Sequence, residues 1–431
     1  MTEQPLHFET LAIHAGQEPD PATGARALPI YQTTSFVFPD AETAANRFAL
    51  ADLGPIYTRI TNPTQAAVED RIAALEGGAL GLLVSSGQSA ITLAVLNLAG
   101  AGDSIVVSPS LYGGTFNLFK HTLARLGIEP IFVEDPDDLD AWRRASRENT
   151  KAFFAETIPN PRQDVLQIRE VAGIAHEAGV PLIVDNTVAT PYLLRPLEHG
   201  ADIVVHSATK FLGGHGTTIA GAIVDGGTFD FAADPERFPT FNEPDASYNG
   251  LVYTQLPRPL TPFAIKARVQ LLRDLGPAVA PHSAFLIAQG LETLPLRMER
   301  HVANATRVAE YLAARDDVES VSWAGLPGSP YHERAQRYLP RGAGSVLGFT
   351  LAGGAEAGRR FVDSLRLHSN VANIGDVRSL VIHPASTTHS QLSEDEQRAA
   401  GVEPGFVRLS VGLEHIDDIL ADLDRGFAAL A

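Results

Sequence analysis

Between residues 79 and 225 the chain repeats one pattern seven times: a short apolar run, mostly rich in Val and Ile, then a helical or turn-forming stretch. The runs are Ala79–Val84, Ser104–Val107, Pro130–Val133, Ala152–Ala155, Pro181–Val184, Ala201–Val205 and Thr218–Val224. Each has the length of a strand and few polar interruptions, as strands buried on both faces do. Helical patterns over Gln88–Leu98, Thr115–Leu126, Asp137–Arg147 and Ile168–Ala178 separate several of the runs, with Gly100, Gly127 and Gly179 as stop signals. This alternation predicts an α/β fold with a mostly parallel sheet, helices on both faces, and ligands at the carboxyl ends of the strands.

The flanking segments read differently. Residues 1–62 are rich in Pro, Thr and aromatics without a sustained period, and predict an extended N-terminal arm. Residues 225–262 read as a long loop, followed by helical stretches at Pro262–Leu275, Ala278–Gln289 and Leu294–Ala314. Strand-like Ser345–Leu351, Leu380–His383 and Phe406–Val411 and a final helix over Ile416–Leu430 complete a smaller α/β unit. The expected division is arm 1–62, large domain 63–265 and small C-terminal domain 266–431.

Charge and cysteine content exclude whole classes of function. The 431 residues carry 33 Lys and Arg against 51 Asp and Glu, a net −18 that argues against tracking nucleic-acid phosphates or an anionic membrane. With no Cys, disulfides, thiol nucleophiles, iron–sulfur clusters and Cys-ligated zinc are ruled out. The 14 His show no HExxH or comparable spacing, so no metal is expected. No segment has the ~20 apolar residues of a membrane span, and the N-terminus lacks the basic and apolar regions of a secretory signal, which predicts a cytoplasmic protein.

The richest stretch is Ala201–Gly221. An apolar run ends in His206-Ser207-Ala208-Thr209-Lys210, followed by Gly213-Gly214-His215-Gly216. An amine at a strand end among hydroxyls and glycines suits attack on a carbonyl, and Ser207 and Thr209 can donate to a phosphate; taken alone, Lys210 is an ordinary turn lysine. Asp185 ends another buried run, where a carboxylate needs a cation. The protonated ring nitrogen of a bound cofactor is one such cation, an Arg is another, and helix capping is a third role. Ser85-Ser86-Gly87-Gln88-Ser89 follows a strand and opens a helix, so free N–H groups there form either an anion site or a plain cap. Tyr112, just before a helix, can stack on a flat ring or simply fill the core. Arg408 within Phe406–Ser410 fits a carboxylate if buried and solvent if on an edge.

Together the motifs YTRITNPT, SSGQSA, SLYGGT, AETIPNP, VDNTVATPYL, HSATKFLGGHG and RLSVGLEHIDD, in this order over nearly the whole chain, resemble the Cys/Met-metabolism family of pyridoxal-phosphate enzymes. The resemblance implies a fold-type I transferase in which Lys210 bonds the cofactor aldehyde and Asp185 pairs with the pyridine nitrogen. It further implies that Tyr112 stacks on the ring, that Gly87, Gln88, Ser207 and Thr209 hold the phosphate, and that Asn160 lies near the phenolic oxygen. Arg408, with Asn373 beside it, would bind the substrate carboxylate. Tyr57 and Arg59 would reach the phosphate of a neighbouring subunit in a homotetramer, and Tyr57 or Tyr112 would assist proton transfer. FNEPDASYNGLVYT, KARVQLLRDLG, QGLETLPLRMERH and NIGDVRSLVIHPASTTHSQL are similar to the branch that sulfhydrylates O-acetylhomoserine. Related methionine γ-lyases carry a Cys where this chain has Gly114. A γ-lyase, or a synthase using O-succinylhomoserine, is the alternative within this chemistry, and a phosphate-binding α/β protein without the covalent lysine is the alternative outside it.

Overall fold

The computed structural model describes residues 5–52, 54–388, 390 and 401–430. His389, Gln391 and Leu392, at the end of the last motif quoted above, and the first four residues of the arm lie outside the described residues. In chain order the first elements are α1 (Phe8–His14), α2 (Ala41–Phe48), α3 (Pro63–Glu76), β1 (Leu80–Val84), α4 (Gly87–Leu98), β2 (Ser104–Val107), α5 (Gly113–Asn117) and β3 (Glu129–Phe132). They are followed by α6 (Leu139–Ala145), β4 (Thr150–Glu156), α7 (Ile168–Glu177), β5 (Leu182–Asp185), β6 (Ile203–His206) and β7 (Gly221–Asp225). All seven predicted strands exist, and they form one sheet in the order β1-β7-β6-β5-β4-β2-β3.

The sheet is mostly parallel, as expected, with one strand reversed. β7 runs antiparallel to both its neighbours, β1 and β6, while every other pairing in the sheet is parallel. A parallel return needs a crossover, usually a helix. Residues 207–220 instead form only turns, so the chain folds back beside β6 over the same sheet edge. The six other strands still point the same way, and the ends of β1, β2, β4, β5 and β6 share one edge.

The arm contains two helices that its composition does not announce. Asp40 caps α2, accepting from Thr43 N at 2.7 Å. α3 opens where Asn62 accepts from Thr64 N at 2.9 Å with Pro63 in the first turn, and closes at Gly77 with φ 76°. α3 is buried around most of its circumference, so it lacks the one-sided apolar stripe that marks a surface helix.

A second sheet has the order β10-β11-β12-β9-β8, built from β8 (Val318–Ser322), β9 (Val346–Leu351), β10 (Ser369–Asn370), β11 (Leu380–Ile382) and β12 (Phe406–Ser410). β9, β11 and β12 are fully buried and were legible as apolar runs; β8 and β10 are edge strands of largely polar, exposed residues. The C-terminal helix Ile416–Ala428 is fastened to this unit by Asp422. Its carboxylate accepts from the backbone N–H of Arg366, Leu367 and His368 at 2.8, 3.0 and 3.0 Å, and from His368 Nδ1 at 2.8 Å.

Burial pushes the Asp422 carboxyl up, yet His368 and the N–H groups outweigh it and hold it well below the usual carboxylate range. A depressed folded value means the interaction stabilises the fold above the unfolded pKa of about 4 and is lost as pH falls toward the folded one. Asp422→Ala is expected to lower stability by about 2–4 kcal/mol through the unpaired N–H groups. It should also flatten the acid limb of the stability profile. Denaturant titration at neutral and acid pH checks both.

Candidate active site

The lysine is set by the turn that follows β6. Lys210 N donates to Ser207 O at 3.1 Å, and Gly214 N donates back to Lys210 O at 2.7 Å. Gly214 has φ 74°, and a Cβ there would lie 2.1 Å from Arg297 Nη1, so a side chain at this position would strain the backbone and displace the guanidinium. Arg297 braces the same turn, its Nη1 donating to Phe211 O at 2.7 Å and its Nη2 to Gly290 O at 2.6 Å. The Lys210 Nζ donates to Asn373 Oδ1 at 2.6 Å. Burial, and then the charge of Arg408, lower this ammonium to about 8. An amine so placed is largely available as a nucleophile in mildly alkaline solution.

Asn373 also joins Lys210 to the second sheet, because its carbonyl accepts from Arg408 Nη2 at 2.9 Å. Arg408 lies inside β12, 7% exposed, so the solvent-facing edge reading does not hold. Its Nη1 reaches Asn160 Oδ1 at 3.4 Å, while its Nε is buried with no partner among the described residues. A buried guanidinium N–H without an acceptor is costly, and a carboxylate fits the fork. Lys210, Asn373, Arg408 and Asn160 therefore form one contact chain spanning both sheets.

Asp185 ends β5, and its Oδ1 accepts from Thr187 N at 2.9 Å and Thr187 Oγ1 at 2.5 Å. Thr187 Oγ1 in turn accepts from Ser207 N at 2.8 Å, tying the carboxylate to the lysine turn. Neither a helix cap nor an Arg partner engages Asp185 among the described residues. Burial pushes its carboxyl up against the two Thr187 bonds. A cation on its open side would reverse that cost.

At the start of α4, Ser86 Oγ caps Ser89 N at 3.1 Å, whereas Gly87 N and Gln88 N have no partner among the described residues. A Cβ on Gly87 would sit 2.7 Å from Ser207 Cβ, and one on Gly221, the first residue of β7, would sit 2.0 Å from Ser86 O. Two glycines thus let three chain segments meet around open N–H groups, a cradle suited to an anion. Ser207 lies against this cradle. The Thr209 hydroxyl is otherwise engaged, donating to Ala220 O and accepting from Ala220 N, both at 3.1 Å.

Tyr112 stands before α5, 53% exposed, with its N–H donating to Glu156 Oε1 at 2.7 Å. Tyr57 and Arg59 are not in this group. Tyr57 is 40% exposed, with the Arg59 guanidinium 5.4 Å from its ring centroid, and no described contact joins either to Lys210. Two further residues belong to the cluster, Thr187 and Glu156. The rule that selects Asp185, a carboxylate ending an apolar run, also selects Glu156 after Ala152–Ala155, and Thr187 is signalled by its place two residues beyond Asp185.

The chain is similar to known proteins along nearly its whole length. The family described as Cys/Met metabolism PLP-dependent enzyme (PLP, pyridoxal phosphate) matches residues 9–428. An O-acetyl-L-homoserine sulfhydrylase of Leptospira meyeri is 54% identical over 425 residues, 97% of this chain and 96% of that one. One of Corynebacterium glutamicum is 55% identical over 426 residues, 98% and 97% of the two chains. A solved Campylobacter jejuni structure, provisionally assigned as an O-acetylhomoserine (thiol)-lyase and holding a pyridoxyl-lysine phosphate, superposes with a TM-score of 0.94. It is 41% identical and covers 98% of this chain and 100% of its own. The chain belongs to the pyridoxal-phosphate-dependent enzymes of Cys/Met metabolism.

Proposed function

We propose that this enzyme replaces the acetate of O-acetyl-L-homoserine with sulfide, giving L-homocysteine and acetate. The observation that carries the substrate assignment is the near full-length likeness to the two bacterial sulfhydrylases. The site fits the cofactor on its own terms. A buried amine, a buried carboxylate lacking a cation, and two unpaired N–H groups at a glycine-lined helix start answer an aldehyde, a pyridinium and a phosphate. In this reading Gly87 and Gln88 hold the phosphate with Ser207 beside them, and the engaged Thr209 hydroxyl has its remaining lone pair but no free hydrogen to offer. Tyr112 stacks on the ring and Asn160 lies at the phenolic oxygen.

Bound pyridoxal phosphate supplies an electron-accepting ring for charge released at the substrate α-carbon. Arg408 binds and orients the substrate carboxylate, which accepts from its otherwise unpartnered Nε. Asp185 keeps the proton on the ring nitrogen. The Lys210 Nζ takes the proton from Cα and moves a proton at Cβ, after which acetate leaves Cγ and sulfide adds there. Tyr112, or a partner's Tyr57, assists these transfers.

The active unit in this reading is a dimer within a homotetramer, in the cytoplasm. Its support is the exposure of Tyr57 and Arg59 away from their own Lys210. Lys210→Ala and Arg59→Ala proteins should each be inactive, yet their co-refolded mixture should regain about a quarter of wild-type activity through hybrid dimers. A mixture that stays inactive would refute the shared site.

Product analysis with O-acetyl- and O-succinylhomoserine, each offered sulfide and cysteine, tests the reaction. Homocysteine from the acetyl ester and sulfide is expected. Release of ammonia and 2-oxobutyrate without sulfide would identify a γ-lyase, and preference for the succinyl ester with cysteine a cystathionine synthase. Lys210→Ala should lose more than about a thousandfold in kcat with its fold intact.

The lowered lysine gives a pH prediction. Uptake of the cofactor by the apoprotein requires the unprotonated Nζ, so its rate should rise with pH through about 8. Removing the positive charge of Arg408 relieves part of the depression, so Arg408→Gln should move that midpoint upward. Stopped-flow absorbance across pH measures both.

A further inference from the structure

The floor of the site holds a second buried carboxyl group, Glu156, to which the cofactor reading above gives no role. Glu156 is the last residue of β4, 7% exposed, and its Cα is the register partner of Asp185 on the neighbouring strand. Its Oε1 takes the N–H of Tyr112 at 2.7 Å. Glu156 thus holds the backbone of the segment that carries Tyr112, from a position fixed beside Asp185. Tyr112 itself stands half in solvent, and a Cβ on Gly114 would come within 2.5 Å of its Cε1. The ring therefore fills the space left by Gly114, while its backbone is anchored at Glu156.

Resting on the cofactor reading given above, we propose that Glu156 is a positioning residue. By accepting the Tyr112 N–H beside Asp185, it sets the distance between the Tyr112 ring and that carboxylate, and so the gap in which the cofactor ring lies.

Glu156 does this as a neutral acid. Two carboxylates at register-partner positions in a buried site repel, and one of them must keep its proton. Thr187 gives Asp185 two donors, including a hydroxyl at 2.5 Å, which favours the charge there. Burial, then the Asp185 charge and further out that of Asp164, push the Glu156 carboxyl well up. The division leaves a single negative charge, on Asp185, to face the pyridine nitrogen. It also means that the useful atom of Glu156 is an oxygen acceptor, which a glutamine amide supplies equally well.

The test compares Glu156→Gln, Glu156→Ala and Glu156→Met with the wild-type holoenzyme. The measurements are the dissociation constant of pyridoxal phosphate from the apoprotein, visible-region circular dichroism of the bound cofactor, and kcat and KM. Glu156→Gln should keep the wild-type visible spectrum, with a dissociation constant and kcat within about threefold. Glu156→Ala should alter the visible spectrum, weaken cofactor binding about tenfold and lower kcat by about 10–100-fold, more than it raises KM. Should the alanine variant not fold, Glu156→Met fills the same space without an oxygen and carries the same expectation. A wild-type spectrum and dissociation constant in Glu156→Ala or Glu156→Met would overturn the proposal. So would a Glu156→Gln protein as impaired as they are, since the charge would then be what matters. The spectrum and the cofactor affinity do not depend on which ester or thiol is used, so an error in the substrate leaves them untouched. An error in the cofactor would show first as a wild-type protein with no visible band.

Discussion

Asp185 carries its charge into the protein interior with only Thr187 donating to it among the described residues. That arrangement is expensive, and the surrounding structure is arranged to make it useful. The strand that bears it lies at the middle of the seven-stranded sheet, so the carboxylate cannot turn to solvent. Thr187 links it to the backbone of the lysine turn, so the amine and the carboxylate are fixed relative to one another. The charge and the amine are held at a set separation before any ligand arrives, which is what preorganisation means physically.

The antiparallel β7 has a role that a wholly parallel sheet would not supply. It enters between β1 and β6 directly after the lysine turn, and its first residue, Gly221, pairs with Val84. Because Gly221 has no side chain, the loop after β1 closes down on it, and the start of α4 is brought against Ser207. The anion cradle and the lysine turn therefore share a wall. The second sheet contributes from the opposite side, where Arg408 in β12 reaches Asn373 and Asn160.

Much of this was legible in the sequence for one reason: a polar residue ending or interrupting an apolar run must have a partner. Asp185 and Arg408 draw attention in that way with more than one role open, and the family resemblance singles out one role for each and for Lys210; six of the seven strands are visible as apolar runs because they are buried, while the edge strand β3 is half-exposed. What was hidden had the opposite character. β8 and β10 are edge strands with largely polar residues, and α3 is buried around most of its circumference, so none of them has the apolar pattern that marks an element in the sequence. The direction of β7 depended on how residues 207–220 fold, which periodicity does not report. Thr209 was read for its hydroxyl, but the nearby Ala220 backbone competes for that hydroxyl and engages it. Tyr57 and Arg59 carry no pattern of their own, and only the family resemblance singled them out.

The contact chain from Lys210 through Asn373 to Arg408 couples two buried cations that the sequence places almost two hundred residues apart. Arg408 lowers the lysine through space because both cations are buried and poorly screened. An anion bound to Arg408 cancels much of that field, so the same event that seats a carboxylate makes the Lys210 Nζ more basic. In the reaction proposed above, this coupling has the sign that proton abstraction by Lys210 needs. With the arginine fork empty the amine is weakly basic and free to act as a nucleophile, and with the fork filled it holds a proton more strongly. Electrostatics of this kind require Arg408 to be buried rather than on an edge, and β12 meets that requirement by lying between β9 and β11 in the second sheet.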